Sequence, residues 1–280
     1  MNDLLACKGA VFNTGKGVCP YKPENIEAMI LTMKDNTITV STFDTKFEEM
    51  IHADRPNRIY PIGGISEYAP SGGEAQSSAV GYGPSKFTGY STYMEAWTLD
   101  QRYLSIVKNL LRINVPLRVF LIDKNNVVYG EDAGNGKIRG FLLSDIYPSG
   151  QTYNSSGAQA SIIVNLSYKD VEAIWSNTVR LQSSIDLVSL ADGLTWVSLV
   201  STGTNKYKLK DYDEGTDITV FYGALLASTT AWNNVTAATY DATTEELTLT
   251  PAAGMTPSLK SPAELFALST PVKGIEQWTS

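Results

Sequence analysis

The sequence has little of the chemistry on which most enzymes depend. Its 280 residues include one histidine and two cysteines, and 18% of them are charged, against roughly 25% in a typical soluble domain. His52 has no nucleophile motif beside it, and the sequence lacks the Walker, G-x-S-x-G and H-E-x-x-H patterns. These absences predict that the protein is not an enzyme, has no catalytic residue and needs no cofactor.

The sequence also has few features of disulfide-rich proteins or of membrane proteins. Cys7 and Cys19 are too few for a disulfide scaffold, and their spacing matches no metal motif. No stretch approaches the ~20 apolar residues of a membrane helix, and no secretion signal is recognisable. The net charge of -7 disfavours adhesive binding to nucleic acid but suits a surface past which DNA slides. The sequence therefore predicts a protein without a membrane partner, made in the cytoplasm.

What the sequence does have is one long, nearly uncharged segment over residues 59–97. It has no helical periodicity and is rich in glycine, serine, proline and tyrosine. It is much longer than the loops of compact domains, which rarely exceed about 15 residues. Because its backbone polar groups need partners, we expect an extended arm that completes its hydrogen bonds on another subunit. The predicted assembly contacts are aromatic side chains of this arm: Tyr68, Tyr82, Phe87, Tyr90 and Tyr93.

Regular structure is predicted most clearly directly after the arm. Residues 101–112 have apolar side chains at three- and four-residue steps, with Asp100 as N-cap, and predict a helix. Two apolar strands then flank Asn125-Asn126, which predicts a β-hairpin. Its predicted core residues are Phe120, Ile122, Val128 and Tyr129. A shorter helix is expected over residues 45–52 with Asp44 as its N-cap.

The composition changes near residue 190, which predicts a domain boundary there. Turn signals beyond this point recur about every ten residues, as in an antiparallel sandwich. We therefore expect two domains, an assembly domain over residues 1–189 and a β-sandwich domain over residues 190–280. The predicted strands of the second domain cover residues 196–201, 207–210, 217–222, 235–240 and 246–250.

Two patterns in the second domain suggest ligands, and each has a structural alternative. The alternating carboxylates Asp211, Asp213 and Asp217 before and after Gly215 are a weak candidate for calcium. An acidic turn is the favoured alternative, since a bidentate glutamate is not evident, and no metal is predicted. An aromatic sugar-binding face is the second pattern, with core and interface packing as its favoured alternative. Its candidate residues are Tyr207, Tyr212, Tyr222 and Trp232.

The hairpin and the strands that follow it resemble a known family. The residues that carry the resemblance are RVFLIDKNNVVYGEDAGNGKIRGFLLSDIYPSGQTYNSSGAQASIIVNLSYKD, over 118–170. This stretch is similar to the strand-turn-strand core of tail-tube-like virion proteins of tailed bacteriophages, particularly those that infect Bacteroidetes. The arm, which ends in YGPSKFTGYSTYMEAW, resembles the long hairpin or loop that such proteins extend to neighbours.

The resemblance implies a mainly β fold: a tube-forming β-sandwich with one packing helix and a long arm, followed by an immunoglobulin-like β-sandwich. It implies a virion structural protein of tail-tube or neck-ring type that assembles into stacked homo-oligomeric rings, expected to be sixfold. Its partners would be copies of itself, other virion proteins, and genomic DNA passing through the lumen without specific binding. A head-associated capsid protein and a carbohydrate-binding surface or tail-fibre module remain as alternatives.

Overall fold

A computed structural model describes most of the chain. The described residues are 4–6, 25–79, 81–100, 116–157 and 160–278. Strands dominate them, so the predicted mainly β fold is confirmed. The predicted helix over residues 101–112 lies outside the described residues.

The chain forms two compact units. The first contains Met1–Phe47 and Ile59–Asp192, and the second contains Glu48–Arg58 and Gly193–Ser280. The sequence predicts a single boundary between residues 189 and 190, whereas the second unit is built from two separate stretches. Its short stretch, Glu48–Arg58, carries no composition signal that links it to residues after 193.

The strands of the first unit run through most of its length. In chain order they are β1 (Leu4–Ala6), β2 (Ile26–Met33), β3 (Ile38–Thr39), β4 (Ile59–Ile62), β5 (Glu67–Gly72), β6 (Ala75–Ser78), β7 (Lys86–Tyr90), β8 (Tyr93–Asp100), β9 (Leu117–Asp123), β10 (Val127–Gly134), β11 (Lys137–Arg139), β12 (Phe141–Thr152), β13 (Ser161–Tyr168) and β14 (Thr178–Gln182). Twelve of them form one sheet, hydrogen-bonded in the order β1-β14-β10-β9-β12-β13-β8-β5, with β2, β3, β4 and β11 joined beside this path.

Strand β12 connects the two halves of this sheet. Its first residues pair with β9 and the rest pair with β13, and its register shifts twice along the way. Such irregularities bend a strand and increase its twist. The core accordingly contains side chains from both halves, Met29 and Leu121 from β2 and β9, and Trp97 and Val164 from β8 and β13. This arrangement is consistent with the predicted β-sandwich.

The hairpin predicted around Asn125-Asn126 is formed by β9 and β10. Asp123 fixes its turn, since its Oδ1 accepts the backbone N–H groups of Asn125 and Val127 at 2.8 and 3.0 Å. Its Oδ2 accepts the hydroxyl of Tyr129 at 3.0 Å. Asn126 has a φ of 59°, a region that asparagine tolerates better than most residues. The four predicted core residues are all buried: Phe120, Ile122, Val128 and Tyr129.

Helix α1 (Phe43–His52) begins two residues before its predicted start. The predicted N-cap, Asp44, lies inside its first turn and binds elsewhere: its carboxylate accepts the hydroxyl of Ser183 at 2.8 Å and the N–H of Ser184 at 3.0 Å. The capping prediction for Asp44 is therefore wrong. A second helix, α2 (Val171–Ser176), has a true cap, since Asp170 accepts the N–H of Ala173.

From Gly193 onwards, the second unit combines a five-stranded sheet and a strand pair with two short α-helices and a 3-10 helix (Thr229–Ala231). Its elements are β15 (Thr195–Gly203), β16 (Lys206–Asp211), α3 (Thr219–Leu226), β17 (Trp232–Asn233), β18 (Val235–Asp241), β19 (Glu246–Pro251), β20 (Ser258–Leu259), α4 (Pro262–Phe266) and β21 (Ile275–Gln277). Five strands form a sheet in the order β18-β19-β16-β15-β21, in which β21 runs parallel to β15. The remaining two, β17 and β20, pair with each other.

The prediction of a strand over residues 217–222 is wrong, because helix α3 begins at Thr219. A Cβ added to Gly223 would lie 2.3 Å from the ring of Tyr240, so the glycine lets this helix approach β18 closely. The sheet, its parallel edge strand and the helix do not confirm the immunoglobulin-like part of the prediction, which stays a prediction.

The short stretch Glu48–Arg58 is held within the second unit by polar contacts to residues near β21. Arg58 forms an ion pair with Glu276 at 2.5 Å. Lys273 forms another with Glu48. The backbone N–H of Gly274 donates to His52. These contacts join residues more than 200 positions apart in the sequence.

Candidate functional site: the arm of the first unit

The long segment forms a β-hairpin on its own chain. Strand β5 pairs with β8, and β6 pairs with β7. We call β5 and β8 the arm base, and residues 75–90, which contain β6 and β7, the arm tip. The segment therefore forms part of its backbone hydrogen bonds within its own chain, and its expected contact with another subunit stays a prediction.

The arm tip exposes aromatic side chains. Tyr82 is fully exposed, Phe87 is 59% exposed and Tyr90 is 41% exposed. The rings of Phe87 and Tyr90 contact each other edge-on, with 5.1 Å between their centroids. Lys86 beside them is also exposed. Two-stranded hairpins are marginally stable alone, so this ribbon of exposed aromatics has the features of a surface that a partner covers.

The other two predicted contact residues, Tyr68 and Tyr93, lie in the arm base and pack inward. The ring of Tyr68 contacts Trp97, with 4.9 Å between centroids, and that of Tyr93 contacts Tyr168 at 5.2 Å. Both tyrosines pack against the core of the first unit. The structure thus divides the five predicted residues into three exposed at the tip and two in the base.

At the centre of the arm base lies Glu95, which the sequence analysis missed. It is 0% exposed. Its Oε2 accepts the hydroxyl of Tyr168 at 2.6 Å and the indole N–H of Trp97 at 3.2 Å. Its Oε1 accepts the hydroxyl of Tyr68 at 3.1 Å. The hydroxyls of Tyr68 and Tyr93 lie 3.2 Å apart, which extends the network across the base.

The pKa of Glu95 is controlled by burial. Burial raises it from 4.5 to about 7, although the hydrogen bonds from Tyr168, Tyr68, Tyr93 and Trp97 lower it. Among the described residues, every group that donates to the carboxyl is neutral, so none of them supplies the cation that usually stabilises a buried carboxylate. The side chain therefore changes its charge near neutral pH, inside the core and at the root of the arm.

The weak calcium candidate in the second unit does not form a converging site. Oδ1 of Asp211 accepts the backbone N–H groups of Asp213 and Glu214 and so closes its own turn. Asp217 pairs instead with Lys208 at 2.7 Å and accepts the N–H and hydroxyl of Thr219. Across residues 25–79, 81–100, 116–157 and 160–278, no three carboxylate, imidazole or thiol groups are placed to hold a metal ion.

The electrostatics of Asp217 fit a structural role. Partial burial raises its pKa, but the hydrogen bonds from Lys208 and Thr219 outweigh this and lower the pKa to about 2. Its carboxylate is thus ionised at the start of helix α3, where negative charge is favourable. The acidic turn leads into a helix and is the interpretation that the contacts favour.

The aromatic residues proposed for a sugar-binding face all make packing contacts within the second unit. Trp232 is buried and donates its indole N–H to the carbonyl of Leu226 at 2.8 Å. Tyr207 and Tyr222 pack against the core of the second unit. Tyr212 is exposed, but it stacks on Trp278 with 4.7 Å between the ring centroids.

His52 is engaged by the backbone on both sides of its ring. Its Nε2 accepts the N–H of Gly274 at 2.9 Å, which leaves Nδ1 to donate to the carbonyl of Glu48 at 2.7 Å. The ring stacks on Phe266, and burial lowers the pKa of His52 below 6.5. The neutral imidazole thus links helix α1 to the residue directly before β21 through both of its nitrogens.

No protein-family model matches the sequence, and no curated protein resembles it closely enough to indicate common descent. In the part of the chain that the structure describes, no helix is long and apolar enough to cross a membrane.

Proposed function

We propose that the protein is a structural subunit of a phage virion, of tail-tube or neck-ring type. Its copies assemble into stacked rings around a DNA channel, and the arm tip of one copy contacts the next. The observation that carries the proposal is the arm itself: an exposed aromatic ribbon at the end of a base anchored in the core. The sequence resemblance over residues 118–170 supports the same conclusion.

The arm has the physical features of an assembly element. Strands β6 and β7 pair only with each other in the described residues, so each has an outer edge able to pair with another strand. Tyrosine and phenylalanine are enriched where protein surfaces bury each other. A projecting arm that binds a different surface of a neighbour makes a head-to-tail contact, and such contacts build rings and tubes.

Charge is consistent with the proposed channel. The net charge of -7 repels the phosphate backbone, which lets genomic DNA pass through the lumen without specific binding. Copies of the chain and other virion proteins are the proposed partners. The proposed location is therefore the virion, after synthesis in the cytoplasm of the bacterial host.

The test removes the arm tip and leaves the base. The N–H of Ser91 donates to the carbonyl of Glu74 at 2.9 Å, so residues 75–90 can be deleted with Glu74 joined directly to Ser91. The new four-residue loop, 73–74 followed by 91–92, closes the paired residues Gly72 and Tyr93. We expect the variant to fold but to form no rings or tubes in negative-stain electron microscopy.

Two further variants make the test specific. Phe87→Ser should reproduce the loss of assembly, because it removes an exposed aromatic ring and leaves the backbone pairing intact. Met255→Ser, at an apolar residue of the second unit that is 57% exposed, is the matched control and should assemble normally. Normal rings from the deletion variant, or a wild-type chain that stays monomeric at high concentration, would contradict the proposal.

A further inference from the structure

The arm base contains a buried acid in an unusual position. Glu95 lies on β8 among the side chains of the core cluster, opposite Leu166 of β13 and Pro70 of β5. Strand β8 is paired on both sides, whereas β5, among the described strands, is the last of the sheet and pairs only with β8. Most residues of β5 are exposed, while those of β13 are largely buried.

We propose that Glu95 is a proton-controlled latch for the arm. The neutral carboxyl keeps β5 paired with β8 and so fixes the direction in which the arm projects. The ionised carboxylate favours a state in which β5 separates from β8 and water reaches Glu95. The consequence for ring assembly rests on the proposed function above, whereas the latch is a property of the single chain.

The groups that face Glu95 explain why its charge acts on the arm. In the part of the chain that the structure describes, the titratable ones are the hydroxyls of Tyr68 from β5, Tyr93 from β8 and Tyr168 from β13. The remaining donor is the indole of Trp97. A buried carboxylate among neutral groups needs water or a cation, and none of these neighbours carries a positive charge.

Strand β5 offers the easiest route for that water. Local opening occurs preferentially where few apolar contacts are lost, and an exposed edge strand meets this condition better than the buried strand β13. Separation of β5 removes one donor to Glu95, Tyr68, and replaces it with solvent. Because burial raises the pKa of Glu95 from 4.5 to about 7, the opening equilibrium changes between these two values of pH.

Hydrogen exchange on the full-length chain, kept dispersed at low concentration, tests the latch. The equilibrium constant for local opening at the β5 amides is measured in the wild type and in Glu95→Gln at each pH. The ratio of the two constants cancels the intrinsic pH dependence of amide exchange. We expect the ratio of the wild-type constant to the Glu95→Gln constant to rise by up to tenfold per pH unit between pH 4.5 and pH 7. The total change should be about 300-fold, and the ratio should level off above pH 7.

Glu67→Gln is the matched control, because it removes an exposed carboxyl from the same strand and should behave as the wild type. Equal pH dependence in the wild type and Glu95→Gln would overturn the proposal. If Glu95→Gln does not fold, carbon-13 NMR of the wild-type carboxyl decides: a midpoint near 7 supports the latch, and one near 4.5 overturns it. Since exchange is measured on dispersed chains, these results are independent of whether the arm-tip deletion blocks assembly.

Discussion

Replacement of Glu95 by glutamine should leave the stability of the protein almost unchanged at pH 5 and raise it at pH 8. The wild-type side chain is buried with neutral partners and has a pKa raised to about 7. A raised folded-state pKa means that the folded protein binds the proton more tightly than the unfolded chain does. The stabilisation of the folded protein by protonated Glu95 is therefore complete below pH 4.5 and is lost as the pH rises towards 7.

The size of the expected change in stability follows from the shift in the pKa of Glu95. A rise from 4.5 to about 7 corresponds to about 3 kcal/mol at 1.36 kcal/mol per pKa unit. Most of this, about 2–3 kcal/mol, is lost between pH 5 and pH 8. Glutamine does not ionise, but it puts an amide group where the carboxyl now accepts Tyr68, at a cost of about 1 kcal/mol. The variant should thus nearly match the wild type at pH 5 and be more stable by about 2 kcal/mol at pH 8.

Urea unfolding of the full-length chain at pH 5 and pH 8 measures this difference. The comparison between variant and wild type at each pH isolates Glu95, because other ionisable groups contribute equally to both proteins. Glu67→Gln, on the exposed face of the arm base, should show no more than a few tenths of a kcal/mol at either pH. A Glu95→Gln variant that is destabilised by the same amount at both values of pH would show that ionisation of Glu95 does not control stability.

Two other features give direct predictions. Burial lowers the pKa of His52, so its contribution to stability is present above pH 6.5 and is lost as the pH falls through the lowered value. His52→Gln should remove that part of the acid sensitivity of the second unit, and identical acid-unfolding midpoints in both proteins would contradict this. A Cβ at Gly140 would lie 2.8 Å from the backbone of Val119, so Gly140→Ala should lower the free energy of unfolding by about 1–3 kcal/mol. Gly157→Ala, where a Cβ meets nothing within 4 Å, is the control in the same thermal denaturation series and should leave the midpoint unchanged.

The strands with strong local signals could be predicted from the sequence. The hairpin of β9 and β10 has apolar strands on both sides of an asparagine turn, and its geometry is set by neighbouring residues such as Asp123. Strand β13 likewise contains consecutive β-branched residues. In these segments the local preference and the tertiary packing agree, which is the condition under which a pattern is informative.

Helix α3 shows the opposite case. Its sequence, TVFYGALL, is rich in β-branched and aromatic residues, which favour a strand. The helix forms because Asp217 binds the N–H and hydroxyl of Thr219 at its start and Gly223 fits against Tyr240. The partner of Thr219 and the partner of Gly223 lie in the same unit as the helix. No local sequence pattern, however, indicates that Gly223 packs against Tyr240.

The central residue of the arm base was missed for a different reason. Glutamate in a strand normally faces solvent, and a long low-charge segment gives no reason to bury one. The alternation of β8 did contain the signal: Tyr93, Glu95 and Trp97 are two residues apart and so lie on one face. A carboxyl between two large aromatic residues on one face is a pattern that indicates a buried acid.

The second unit has a consequence for how the protein is made. His52 and Gly274, which bond to each other, are 222 positions apart in the sequence. At a synthesis rate of roughly 5–20 residues per second, Glu48–Arg58 leaves the ribosome roughly 10–45 s before β21 is made. All residues of the first unit are translated before Gly193, so its sheet has time to fold before the residues near β21 that bind Glu48–Arg58 are made. Translation itself therefore separates the folding of the two units in time.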